Sequence, residues 1–244
     1  MTNEPPSGQR AASLRHPLAR ALLVLTFTTG LIDAVSFLGL GQVFTANMTG
    51  NVVFLGFGLA GADGLPVVAP IVSLCAFLAG AGIGGVLAAR LADHHPVHVA
   101  RTLAIEVALL LVAAVWCLVV DVRDDELSAY VTIALLALAM GVRNATVRKL
   151  AVPDLTTTVL SLTLTGLAAD SRLAGGSGRG TARRGAAVIA MGLGALAGAL
   201  LLEVDIVLPL LAAALLALAS WLVYVPAARR ATRGPEGEGP RAVR

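Results

Sequence analysis

Apolar residues in this chain come in long blocks separated by short polar or charged stretches. Six blocks, 18–40, 66–89, 102–120, 128–147, 185–202 and 206–225, have the length of a membrane-crossing helix, which needs about 20 residues. Two shorter apolar pieces, 44–61 and 155–169, follow the first and the fourth. The first short piece opens on TANMTGN, residues 45–51, an uncharged polar cluster set into apolar surroundings. Such a cluster predicts a broken, partly unwound helix, because irregular backbone survives at membrane depth only inside protein or beside water. The pattern predicts an all-α polytopic membrane protein with six transmembrane helices and two short discontinuous, re-entrant segments.

Composition sharpens that picture. A mean hydropathy of +0.84, 14% charged residues and 26 glycines exclude an ordinary soluble enzyme, and glycine is frequent inside membrane helices. Cys75 and Cys117 lie within apolar blocks and make no disulfide framework or metal motif. Arg10, Arg15 and Arg20 precede the first block as in a signal peptide, but the block is long, contains Asp33 and lacks a small-residue cleavage site. It reads as a retained span.

The net charge of +3 does not point to nucleic acid, because the basic residues sit at the ends of the blocks. Lys and Arg collect in cytoplasmic loops, so each topology can be scored. Eight crossings put 13 basic residues inside and 5 outside, whereas six crossings with two returning segments put 17 inside and 1, Arg123, outside. Six spans with both termini cytoplasmic are therefore expected, the alternative being eight short spans in a parallel repeat. Arg143 reads as an anchor at the inner interface, and Glu106 as a partner for Arg101.

Sliding the chain by 111 residues lays Gly30, Asp33 and Ala34 on Gly141, Asn144 and Ala145, and TANMTGN on TTTVLSL. After a three-residue slip, Gly80 and Gly84 fall on Gly194 and Gly198. A duplicated unit of three spans and one returning segment has an odd number of crossings, so its second copy is inverted, as in many transporters. The organisation read here is an N-terminal tail 1–17, repeats at 18–120 and 128–228 around an outer loop 121–127, and a basic C-terminal tail 229–244. Both tails are expected to be disordered.

The stretch GLIDAVSFLGLGQVFTANMTGNVVFLG, residues 30–56, resembles the signature of the YoaK family of bacterial multi-pass membrane proteins of unknown function. AMGVRNATVRKLAVPDLTTTVLSLTLTGLA, residues 139–168, resembles that family's second motif, with Arg143 in place of the usual Gln and Leu160-Ser161 in place of Thr-Gly. The resemblance implies a bacterial cytoplasmic-membrane protein and carries no substrate with it.

Asp33 is the sharpest candidate for chemistry, since a carboxylate at depth costs about 2.5–3.5 kcal/mol on insertion scales and faces a cavity or a partner. It reads either as a proton- or cation-coupling group or as a cap on the following break. Thr45, Asn47, Thr49, Gly50 and Asn51 of the first break can bond the freed backbone or a solute, with Gly50 expected to supply backbone freedom. Asn144 and Thr157 are their counterparts in the second half. No catalytic set, metal site or cofactor motif is present in the sequence. The expected function is a small-solute transporter in the lipid bilayer, with proton coupling and homo-oligomer formation left open; the alternative is a non-transporting scaffold or regulator.

Overall fold

The computed structural model describes residues 17–91, 95–124, 126–150, 160–178 and 180–232, and among them the ordered elements are helices. They are α1 (Pro17–Gly39), α2 (Met48–Leu59), α3 (Val68–Arg90), α4 (His95–Val119), α5 (Leu127–Leu150), α6 (Leu160–Ala169), α7 (Thr181–Leu202) and α8 (Val207–Thr232). Six are long and apolar enough to cross a membrane, while α2 and α6 have only 12 and 10 residues. The six spans and two short segments expected from the hydropathy pattern are thus present. Most of both tails lies outside the described residues.

Burial divides the long helices into inner and outer ones. α1 and α5 have 72% and 61% of their apolar windows buried, against 22% for α3 and 17% for α7, so the first two form the centre and the last two face outward. Leu78, Val86, Leu193 and Leu196 are exposed on the outer helices, as lipid-facing residues of a span are. α3 packs on α5, α7 on α1, and α4 on α8. Each outer helix therefore pairs with an inner helix from the other half of the chain.

Glycine makes these pairings close. A methyl group on Gly80 would lie 2.2 Å from the Leu138 carbonyl oxygen, and one on Gly141 would lie 2.2 Å from that of Phe77. At the α1–α7 crossing, Gly194 meets the Phe27 carbonyl oxygen at 2.0 Å and Gly30 that of Met191 at 2.3 Å. Gly84 against Ala145 has its counterpart in Gly198 against Ala34. Without a hydrophobic drive between helices in lipid, such small-residue contacts let dispersion between backbones hold the pair.

The ends of the bundle are defined by which residues meet there. The end of α1 (Phe37, Leu38), the residues before α3 (Gly64 to Pro66) and Asp124 after α4 enclose one surface hollow. The opposite end gathers Ala21 of α1, Val99 of α4, Leu150 of α5 and Tyr224 of α8, where the Trp221 indole also donates to the Ala100 carbonyl at 2.7 Å. The segment joining α1 to α3 thus leaves and rejoins the bundle at one end. α6 returns at the other, where Gly166 packs against Arg184 of α7.

Candidate functional site

The chain turns out of α1 through Gly41 (φ +89°) and Gln42 (φ +54°), a left-handed pair that glycine makes cheap at its first position. Residues 43–47 are then non-helical until α2 begins. Their backbone polar groups need partners, because an unpaired buried group costs about 1–3 kcal/mol. Fully buried Asn51 supplies two: its Oδ1 accepts from the Phe44 N–H at 2.9 Å and its Nδ2 donates to the Phe44 carbonyl at 2.6 Å. Ser73 of α3 also donates to that carbonyl, at 2.7 Å, and accepts from Asn51 Nδ2 at 3.1 Å. The Phe44 ring stacks on Phe37, 4.9 Å between centroids, and on Phe54. Gly50 has no left-handed backbone; a side chain there would come within 2.9 Å of the Phe44 ring, so what it supplies is room.

Asp33 is buried in α1, and its Oδ1 accepts from the Ala46 N–H at 3.2 Å. It therefore holds the backbone just before α2. Thr45 is fully buried, and its hydroxyl oxygen has no hydrogen-bond partner among the described residues.

Ala46, Asn47, Met48, Thr49 and Gly50 line an open cavity of ≈ 520 Å³, together with Phe77 of α3, Asn144 of α5, Leu160 and Ser161 of α6, and Met191 of α7. That volume lies within the range of small-molecule sites. The first turn of α2 and the first described residues of α6 thus border one space, reached by α2 from one end of the bundle and by α6 from the other. The first-turn N–H groups of a helix have no intrahelical partner, and Asn47, the residue preceding α2, makes no side-chain cap to them. Of the expected site residues, Asn47, Thr49, Gly50 and Asn144 meet here, while Asp33, Thr45 and Asn51 lie behind the wall. Thr157, with Thr156 and Thr158, falls outside the described residues.

A second polar cluster was not foreseen. Arg143 and Glu106 are both buried and form an ion pair through Arg143 Nη2 and Glu106 Oε1, their side chains each 1% exposed. Arg143 also donates to the Thr29 hydroxyl and the Leu25 carbonyl, both at 2.8 Å, and to the Thr28 hydroxyl at 2.9 Å. One guanidinium thereby ties α1, α4 and α5. The expected interfacial roles of Arg143 and Glu106 are both overturned, and Arg143 leaves the tally of flanking charges. The reason is a boundary: α4 begins at His95, not near 102, so Glu106 lies about 16 Å along its helix and not at an edge.

These features define a class: a polytopic helical membrane protein whose two short helices border one open cavity. The family model described as "Protein of unknown function (DUF1275)" matches residues 21–223, and the chain belongs to that family. It is 32% identical over 161 residues to the "UPF0700 transmembrane protein YoaK" of Bacillus subtilis (strain 168), an alignment covering 66% of this chain and 68% of the relative. No solved structure matches it.

Proposed function

We propose that the protein moves a small polar solute across the bacterial cytoplasmic membrane through the cavity between α2 and α6. The observation that carries this reading is the meeting of the two short helices, from opposite ends of the bundle, at one polar space. The N-terminus of α2 carries partial positive charge, so the solute presents hydrogen-bond acceptors, as a neutral polar or anionic molecule does. Asn47, Thr49, Asn144 and Ser161 orient it. The two halves are inverted copies: exchanging them maps every glycine crossing at Gly30, Gly80, Gly84, Gly141, Gly194 and Gly198 onto another at the offsets found in sequence. Alternating access then follows from rocking α3 and α7 against the central helices. Both termini face the cytoplasm, in keeping with the distribution of arginines, and protons taken up at Asp33 drive the solute.

A non-transporting scaffold would use the same polar groups only to satisfy backbone, and the hydrogen bonds of Asn51 and Ser73 are of that kind. Single cysteines at Asn47 and Ser161, in a background lacking Cys75 and Cys117, separate the two readings. A transporter exposes both to small water-soluble thiol reagents, and bound solute protects each of them. Cysteines sealed against reagent from both sides of the membrane would leave the scaffold.

A further inference from the structure

The buried Glu106–Arg143 pair has a third member. Asp33 lies one turn beyond Thr29 on α1, the residue whose hydroxyl accepts from Arg143. Two carboxylates and one cation are thus enclosed in the bundle centre, with relative exposures of 7% for Asp33, 1% for Glu106 and 2% for Arg143. Fully ionised, the three sum to one negative charge. A net charge in such surroundings is far more costly than a neutral pair, and one proton removes it.

Glu106 has an acceptor to spare for that proton. Its Oε2 has no hydrogen-bond partner among the described residues, although Oε1 holds Arg143. Glu106 and Arg143 border a small pocket of ≈ 20 Å³ at the bundle end bearing Leu150 and Tyr224. Its accessible surface is apolar, so it gives a water no partner, and it is too small for a hydrated metal ion. The other walls are apolar or hydroxylic, Leu22 and Leu25 from α1 and Thr146 from α5 among them. Of the titratable groups around Glu106, Arg143 comes from α5 and Tyr224 from α8. α1 contributes Asp33 beyond the arginine, and α3 brings none to the pocket.

We propose that Asp33 and Glu106 share one exchangeable proton across Arg143. When the proton sits on Asp33, the guanidinium closes on Glu106, as it does here. When the proton passes to Glu106, the same cation is free to serve Asp33, which holds the backbone in front of α2. Proton position is thereby linked to the broken segment that borders the solute cavity. This deepens the transport reading at the coupling step, but the binding of the proton stands or falls by itself.

The test is infrared difference spectroscopy of the purified full-length protein in lipid, stepped upward from about pH 6, where exposed carboxylates have already ionised. The wild type should lose one carboxylic-acid band, and the same step should contain bands sensitive to carbon-13 labelling of aspartate and of glutamate. Sharing makes a sharper demand of the variants. In E106Q and in D33N alike the remaining carboxylate balances Arg143, so the acid band should vanish from both. A band lost in D33N but intact in E106Q, or a wild-type step blind to glutamate labelling, would mean that Asp33 titrates alone and overturns the proposal. A wild type without any acid band makes the triad a permanently charged strut and overturns it as well. The labelling result needs no variant, so a failure of E106Q to fold leaves the inference exposed. Solute transport enters none of these readouts.

Discussion

At the scale of the residue, the side chains that matter do opposite kinds of work. Arg143 has three helices on its guanidinium, and removing either partner of a buried ion pair leaves the other charge uncompensated, at about 3–5 kcal/mol. R143Q is expected to destabilise the protein by that order in equilibrium unfolding from micelles, and E106Q by less, because Asp33 then balances the arginine. The double apolar replacement E106L/R143M should cost less than R143Q. Asn51 and Asn47 diverge in the same way. N51L orphans the Phe44 N–H, leaving its carbonyl to Ser73 alone, and should raise proteolysis around α2 markedly, while N47A should leave stability within about 0.5 kcal/mol and weaken solute binding instead. The polar break itself was legible in TANMTGN, because asparagine and threonine have no other reason to crowd an apolar block. The ion pair was not. The polar run from His94 to Arg101 hid the start of α4, and a buried arginine looks in sequence like any other arginine near a span end. The departure from the family's usual glutamine at 143 was the available signal, together with Thr28 and Thr29 at matching depth in α1.

At the scale of the element, spacing rather than bulk decides which glycines matter. G80A and G194A place a methyl group against carbonyl oxygens 2.2 and 2.0 Å away, so the helices must part. Each should destabilise by about 1–3 kcal/mol, and by similar amounts, because the two sites occupy matching crossings. G82A and G192A point into open space and serve as controls expected to change nothing measurable by thermal denaturation. The helices themselves were readable from hydropathy to within a few residues, apart from the starts of α4 and α7 and the end of α8. Helix pairing was not readable, since Ala, Leu and Gly patterns are too alike to specify partners. Only the recurrence of GxxxG at a fixed offset hinted that α3 and α7 play one role twice.

At the scale of the molecule, the topology is open to a direct check. A single cysteine at Ala62, between α2 and α3, should react with a membrane-impermeant maleimide in intact cells. One at Leu173, between α6 and α7 and fully exposed, should react only after lysis. Labelling of both from outside would contradict the two-ended entry of the short helices and remove the basis for a midplane site. The six spans follow from composition alone, but the shared cavity required three dimensions. Its walls come from five helices, and in sequence Phe77 and Met191 are ordinary apolar residues.

The cross-pairing of the halves also bears on how the chain is made. α1 emerges first from the ribosome, but the helix that covers its glycine face is α7, ending at Leu202. At synthesis rates of 5–20 residues per second, that partner arrives roughly 10–30 s later. Throughout that interval α1 stands in the bilayer or the insertion machinery with the face of Phe27, Gly30 and Ala34 uncovered. α3 waits far less long for α5. The nascent protein therefore has an early, well-closed couple and a late one, and its vulnerable period in biogenesis belongs to its first span.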